Sequence, residues 1–467
     1  MCRRRPTWRG FRGVRLSETP QVPISAAEAV AAARSAGSAS RRELLKTAPD
    51  ARHPLGALRD PGTVRARCAA VLRSVEANVS EHFLLNRNRM PEVAERVAVL
   101  TLQRYPDLKI PYHSRWRHFE AGGLDRKPVL EERLATRTPL EAARARFDLT
   151  VVSVLLDAGA GATWRYKEPG TEQLLQRSEG LGVASWHAFL NGVFSATPDD
   201  PQRADAAALA RLDANALRAV FQSSPANPVV GLDGRAGLLV RLAAALQDEA
   251  ARGGGEARPG LLFDRLTQLP NGGGTRSEVS AREVLGEVLR VLGPIWTSGS
   301  RVAGLPGGDV WAHRWAGDAT GDGGHDPTTG GWVPFHKLSQ WLSYSLIEPL
   351  QWAGITVTGL DALTGLPEYR NGGLLLDGGV IVPRDPRALG KPWKPQDDFI
   401  IEWRALTVAL LDELAVLVRA RLGKTAAELP LACVLEGGTW AAGREIAKEM
   451  RADGAPPLKI ESDGTIF

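Results

Sequence analysis

A chain of 467 residues with 43% apolar and 24% charged content can bury a substantial core, which excludes a disordered chain and indicates a globular protein. The formal charge of +5 would suit nucleic acid or a membrane surface. However, residues 1–60 hold twelve Lys and Arg against five Asp and Glu, leaving 46 against 48 in the remainder, and so neutral a body argues against a nucleic-acid partner.

The opening stretch carries Arg3, Arg4, Arg5, Arg9, Arg12 and Arg15 without a following apolar run. Residues 1–60 are therefore expected to be a solvated, disordered arm, with a binding arm as the alternative. A transit peptide also fits an Arg-rich, acid-poor start. No eighteen consecutive apolar residues occur, so no membrane partner is expected. Cys2, Cys68 and Cys433 show no C-x-x-C spacing, which fits a reduced, cytoplasmic location.

Residues 61–467 are expected to form one large, mainly α body with a few short β-strands. Apolar residues recur three or four apart in 62–78, 91–105, 234–252, 281–293 and 398–423, the helical period. The clearest helix begins at Thr138 as N-cap, with Pro139 at the first position, Glu141 completing a capping box and Gly159 as the stop. Strand signals are confined to "GGLLLDGGVIV" (372–382) and "LKIESDGTIF" (458–467). Gly/Pro-rich breaks at 251–260, 269–276, 316–331 and 386–395 are expected to be surface loops within one body, and the Asp/Gly-rich loop 316–331 lacks EF-hand spacing. "EGGTWAAGR" (436–444) fits either a glycine-relieved turn against a pocket or a tight helix–helix contact.

Two segments hold polar residues without a local reason. In "VPFHKLSQWLSYSLIEPLQWAG" (333–354), Lys337, Trp341, Tyr344 and Glu348 fall at i, i+4, i+7 and i+11, one helical face, with Pro349 expected to break or kink the helix. That face fits packed aromatics with snorkelling charges, or one wall of a site. Glu368, Tyr369 and Arg370 follow in a loop between Pro367 and Gly372, and a carboxylate held beside a helix is a common way to build a site. In "IPYHSRWRHFEAGGLDR" (110–126), His113, Arg115, Trp116, Arg117, His118 and Glu120 cluster. Arginine can clamp an anion and Trp116 can offer a stacking face. His113 and His118 are five apart with no H-E-x-x-H, so no metal is expected. G-x-S-x-G, Walker and G-x-G-x-x-G signatures are absent, and no cofactor is expected.

At "HSRWRHFEAGG", "PFHKLSQWLSYSLIEPLQWAG", "LTGLPEYRNGG" and "LEGGTWAAGR" the chain resembles the uracil-catabolism family, the fourth component of the URC pathway, long described as a domain of unknown function. The resemblance runs from about Pro61 to Phe467 and implies a role in a pyrimidine breakdown route that opens uracil while it is still attached to ribose. A second, shorter resemblance is to the queuosine-nucleotide salvage glycosidases, helical enzymes akin to helix-hairpin-helix glycosylases. They carry K-x-x-Q, then D-Y-R about thirty positions on, and an aspartate seven positions before a tryptophan. Lys337 and Gln340 match the first element, Glu368, Tyr369 and Arg370 the second, and Asp157 and Trp164 the third. Glu replaces Asp at 368, and the residues before Trp164 are the small "AGAGAT", which implies a small leaving group.

The expected activity is hydrolysis of the N-ribosidic bond of a ribosyl-urea type nucleoside or nucleotide, a small-molecule substrate. Glu368 is expected to stabilise the oxocarbenium-like state or activate water. Lys337 would orient that carboxylate, bind ribose hydroxyls or protonate the leaving nitrogen. Arg115, Trp116, His118, Asp157, Trp164, Gln340, Tyr344, Tyr369, Arg370 and Arg404 are the expected substrate-binding residues, with Arg115, Arg117, Arg370 or Arg404 on any 5′-phosphate. The alternatives are an amidohydrolase acting on a ureido group through a metal at His113 and His118, and a non-enzymatic helical nucleotide-binding component.

Overall fold

The computed structural model describes residues 54–161, 163–268, 274–297, 299–317 and 329–461. The expected arm up to His53, most of the 316–331 loop and the end of "LKIESDGTIF" lie outside them. The described chain is packed from its start. Helix Pro54–Leu58 buries Leu55 and Leu58 against Val302 and Val310, a few residues ahead of the boundary that charge suggests.

The architecture is mainly α. The Asp398–Leu422 helix lies against Pro61–Glu76 and Met90–Arg104, Pro139–Leu155 lies against Lys337–Trp352 and Arg177–Leu190, and Tyr369–Asp377 lies against Trp440–Met450. Caps decide where several begin. The Asp60 carboxylate accepts from the Gly62 amide at 2.6 Å, ahead of Pro61 at the first position. Thr138 Oγ1 accepts from the Glu141 amide at 3.2 Å. The box expected there does not close, because Glu141 turns to the Arg258 guanidinium at 2.8 Å. A complete box forms instead at Ser280 and Glu283.

Two local expectations are corrected. The Lys337–Trp352 helix runs on through Pro349. Proline removes the amide that would bond the Ser345 carbonyl, and the Trp116 indole N–H donates to that carbonyl at 3.0 Å, so the freed acceptor is satisfied. The first half of "GGLLLDGGVIV" belongs to helix Tyr369–Asp377, and only Ile381–Pro383 is a strand, antiparallel to Phe83–Leu85. The glycines there serve packing: a Cβ on Gly372 would overlap the Trp403 indole. Strands also occur beyond the two expected segments as short ribbons, of which Val310–Ala312 with Trp332–Pro334 bears on the site. The "EGGTWAAGR" segment is a π-helical turn, Leu435–Thr439, leading into Trp440–Met450. Its glycines let helices meet, since a Cβ on Gly443 would overlap the Arg370 carbonyl. Among the described residues no helix is long and apolar enough to cross a membrane.

Gly443→Ala should lower stability by about 1–3 kcal/mol, because a backbone carbonyl cannot move aside cheaply. Gly286→Ala, where an added Cβ meets nothing within 4 Å in the helix Ala281–Leu292, should leave stability unchanged or raise it by about 0.5–1 kcal/mol. Denaturant titration of both variants against the parent reads the difference.

Candidate functional site

The site is built around the start of the Lys337–Trp352 helix. Val310–Ala312 pairs with Trp332–Pro334, which sets Asp309 beside residues 335–337. Its carbonyl accepts the Phe335 amide at 2.9 Å, and its carboxylate accepts the Lys337 amide at 3.0 Å and the Trp311 indole N–H at 2.7 Å. Arg404, from the second turn of Asp398–Leu422 and fully buried, donates to both oxygens of the same carboxylate at 2.7 Å each and lies over the Phe335 ring. Burial alone would raise the Asp309 carboxyl. Arg404 and the other donors overcome it and hold the group well below the usual carboxylate range.

A clasp on Thr364 brings Glu368 to this helix. Gln340 Oε1 accepts the Thr364 amide at 3.2 Å, and the Tyr344 hydroxyl donates to the Thr364 carbonyl at 3.0 Å. Four residues on, Glu368 caps the Tyr369–Asp377 helix, one oxygen accepting the Asn371 amide at 2.6 Å and the other the Arg370 amide at 2.8 Å. Lys337 and Glu368 each keep part of their surface open to solvent, yet burial is the largest influence on both. Burial and Arg404 depress the Lys337 ammonium, against the pull of Glu368, Asp309 and Asp157. Burial raises the Glu368 carboxyl, against the two capping amides, Lys337 and His113.

A third group adjoins them from Arg115–His118. The buried Arg115 guanidinium donates to Ser153 Oγ at 2.6 Å, Asp157 Oδ1 at 2.9 Å and the Ser178 carbonyl at 3.2 Å, and to His118 Nδ1 at 3.0 Å. His118 therefore accepts at Nδ1. Burial and Arg115 push its imidazole down to about 3, so it is neutral at physiological pH. Both side chains lie against the Trp341 ring. Four donors here are buried and make no hydrogen bond among the described residues: Arg115 Nη2, Gln340 Nε2, Trp341 Nε1 and Thr364 Oγ1.

Lys337 is thus coupled electrostatically to Glu368 and Asp157, Asp157 and His118 are both bonded to Arg115, and Glu368 also acts on Arg370. Other expected residues are committed elsewhere. Trp116 and Trp164 are fully buried, Trp164 donating to the Phe221 carbonyl at 2.8 Å. Tyr344 and Arg404 are held in the clasp and the Asp309 pair, and Tyr369 reaches the Ile460 carbonyl at 3.4 Å. Glu348 lies eleven residues from Lys337, about 16 Å along the axis. It bonds Ser114 and Arg117 at 2.6 and 2.7 Å and lines a recess of about 350 Å³ with Tyr112, Gln351 and Cys433, far from the lysine. His113 pairs through Nδ1 with Glu436 at 2.9 Å, a different partner from that of His118. Among the described residues no three of His, Cys, Asp and Glu gather as metal ligands. Asp309 was not expected: it lies in a stretch that reads as an ordinary turn, and nothing in its neighbours foretells Arg404.

The family model described as "Protein of unknown function (DUF1688)" matches residues 57–467. The chain is 38% identical to Protein urg3 of Schizosaccharomyces pombe over 414 residues, 86% of this chain and 96% of the relative. It is 36% identical to Uracil catabolism protein 4 of Lachancea kluyveri over 442 residues, 89% of this chain and 99% of the relative.

Asp309→Asn should cost about 3–5 kcal/mol at neutral pH by leaving Arg404 buried without its counter-ion. Since the folded-state pKa is depressed, the ionic contribution is present above the unfolded-state value of about 3.9 and fades as pH falls from there toward the lower folded value. The stability gap between parent and variant, followed by denaturant titration from pH 7 to 3, should therefore narrow at the acid end.

Proposed function

The chain belongs to the DUF1688 family, and from that premise and the geometry around Lys337 we propose that it hydrolyses the N-ribosidic bond of a ribosyl-urea compound formed in uracil breakdown. The names of its relatives support the pathway. The chemistry rests on one observation: a carboxylate fixed on two backbone amides lies within electrostatic reach of a largely buried lysine, and solvent still reaches both. The acid is raised and the base is lowered, so each lies nearer the range in which it can exchange a proton.

In this reading the C1′–N bond breaks with its electron pair going to the urea nitrogen, and a bond forms between C1′ and a water oxygen. The Lys337 ammonium, already depressed, gives its proton to the leaving nitrogen. Glu368 stands against the cationic sugar and takes the proton of the attacking water, after which solvent restores both groups. Asp157, with Oδ2 outside any hydrogen bond among the described residues, and the amide of Gln340 are suited to ribose hydroxyls. The products are ribose, or its phosphate, and urea.

Glu368→Gln keeps the shape and the reach of the side chain but removes its charge. Single-turnover urea release should fall on the order of a hundredfold or more while calorimetric binding persists. Lys337→Met should be similarly impaired, and Glu348→Gln much less. Release of urea by Glu368→Gln near the parent rate would overturn this assignment.

Because the Glu368 carboxyl is raised and must be ionised to act, the acid limb of kcat/KM should lie above the ordinary glutamate value of about 4.3. That limb should be missing from any residual rate of Glu368→Gln. Chelators should leave the parent rate unchanged, and loss of activity restored by zinc or manganese would instead favour a metal-dependent ureido hydrolase.

A further inference from the structure

Three arginines meet beside the site from three separate helices. Arg177 opens Arg177–Leu190, Arg370 lies two residues after Glu368, and Arg444 lies in Trp440–Met450. One carboxylate sits among them: Glu179 accepts from Arg444 at 2.7 Å. Arg370 donates only to the Gly454 carbonyl, at 3.1 Å, and Arg177 makes no hydrogen bond or ion pair among the described residues. The close approach of Gly443 to the Arg370 carbonyl fixes the two helices that carry Arg370 and Arg444. After burial, the repulsion of Arg177 and then, beyond the pull of Glu368, that of Arg444 lower the Arg370 guanidinium, so the three groups crowd one another. Three guanidinium groups against the carboxylates of Glu179 and Glu368 leave one positive charge over.

The backbone of the same place also lacks an acceptor. Gln176 precedes the Arg177–Leu190 helix without a side-chain cap, and the Ser178 and Glu179 amides make no hydrogen bond among the described residues. Arg177 holds the left-handed conformation, φ 55°, which a non-glycine residue rarely adopts and which recurs at ligand sites. Arg115, fully buried, lies against this turn through the Ser178 carbonyl and has Nη2 unbonded. An uncapped helix start with guanidinium groups on it is suited to a phosphate.

We propose that Arg177, Arg370 and Arg444, with the first turn of the Arg177–Leu190 helix, bind a phosphate monoester, and that the ribosyl substrate acted on at Glu368 carries it as a 5′-phosphate. A monoester bears about −1.5 to −2 charges at neutral pH, opposite in sign to the surplus. Arg370, so close in sequence to Glu368, joins the phosphate to the sugar. The inference rests on the hydrolase reading for the identity of the sugar and not for the anion site. Glu179 occupies Arg444 while the site is unliganded and competes with the incoming phosphate.

The test is calorimetric binding of ribose 5-phosphate, ribose and inorganic phosphate to the full chain at fixed ionic strength. No turnover is needed, so failure of the hydrolase reading would not disturb it. Ribose 5-phosphate should bind at least tenfold more tightly than either ribose or inorganic phosphate. Arg177→Gln and Arg444→Gln should remove most of that advantage, whereas Arg252→Gln, on an exposed side chain far from this cluster, should keep it. Glu179→Gln should tighten ribose 5-phosphate binding, an increase that a merely structural role would not produce. Should Arg444→Gln lower the thermal midpoint, Arg177→Gln decides the matter, since it breaks no hydrogen bond. Equal binding of ribose and ribose 5-phosphate overturns the proposal. So does inorganic phosphate that binds through these arginines while ribose 5-phosphate gains nothing over it, because the anion site would then be separate from the sugar. Equal urea release from ribosylurea with and without the phosphate would retain the hydrolase and remove this inference.

Discussion

The pairing of Asp309 with Arg404 is the constraint on which the rest of the site depends. A guanidinium buried in the second turn of Asp398–Leu422 must have a counter-ion, and Asp309, which pairs with it, stands at a strand end and also fixes the first turn of the Lys337–Trp352 helix. Replacing such a pair with apolar residues is often neutral or stabilising, so stability alone is a weak reason for its presence. Its effect here is positional and electrostatic. Both Asp309 oxygens are engaged by Arg404, Trp311 and the Lys337 backbone. The Lys337 ammonium feels the repulsion of Arg404 against the pull of Glu368, then Asp309, then Asp157.

Glu368 is placed with comparable economy. Gln340 and Tyr344 sit one helical turn apart and grip the amide and the carbonyl of the same residue, Thr364. The chain that leaves Thr364 has few ways to go before the helix at Tyr369, and Glu368 is the cap of that helix. Serine, threonine, aspartate and asparagine are the usual caps. A glutamate that caps through both oxygens, while protein crowds it and solvent still reaches it, is more than a helix start requires. The capping amides favour its ionised form and burial opposes it. The balance favours burial, so the carboxyl is raised and its ionised form is a stronger base than that of an exposed glutamate.

What was legible in the sequence follows from distance along the chain. The Pro139–Leu155 helix was legible because Thr138 and Pro139 act within one turn, whereas Lys337, Gln340 and Glu368 were singled out as a set by a motif resemblance. Pro349 was misread as a break because the group that compensates it, Trp116, is 229 positions away. Glu348 shares a helical face with Lys337, but a face has length as well as direction, and the two ends of this one meet different neighbours. Glu141 has capping-box spacing, and a distant arginine outbids the local bond. Asp309, Arg177, Glu179 and Arg444 carry no local signature at all, since each gains its meaning from residues on other helices. Trp164 was singled out by the resemblance, seven positions after Asp157, and its ring is fully buried: Gly180 closes on it and its N–H donates to a carbonyl.

The four unbonded donors suggest the kind of molecule that belongs between these groups. Buried polar atoms in folded proteins nearly always find partners. Here an amide NH₂, an indole N–H, a hydroxyl and a guanidinium NH₂ are left over together, on Gln340, Trp341, Thr364 and Arg115. Three of the four can only donate, so the complement they ask for is rich in acceptors. Ribose hydroxyl oxygens and a urea carbonyl supply acceptors in a small volume, whereas a broad apolar ring would strand the donors at a cost of about 1–3 kcal/mol each. The aromatic rings that would sandwich such a base, Trp116 and Trp164, are already enclosed by protein. On the proposed reading, a compact and oxygen-rich ligand would satisfy the leftover donors without a stacking platform, and discrimination would then lie in hydrogen bonding and charge.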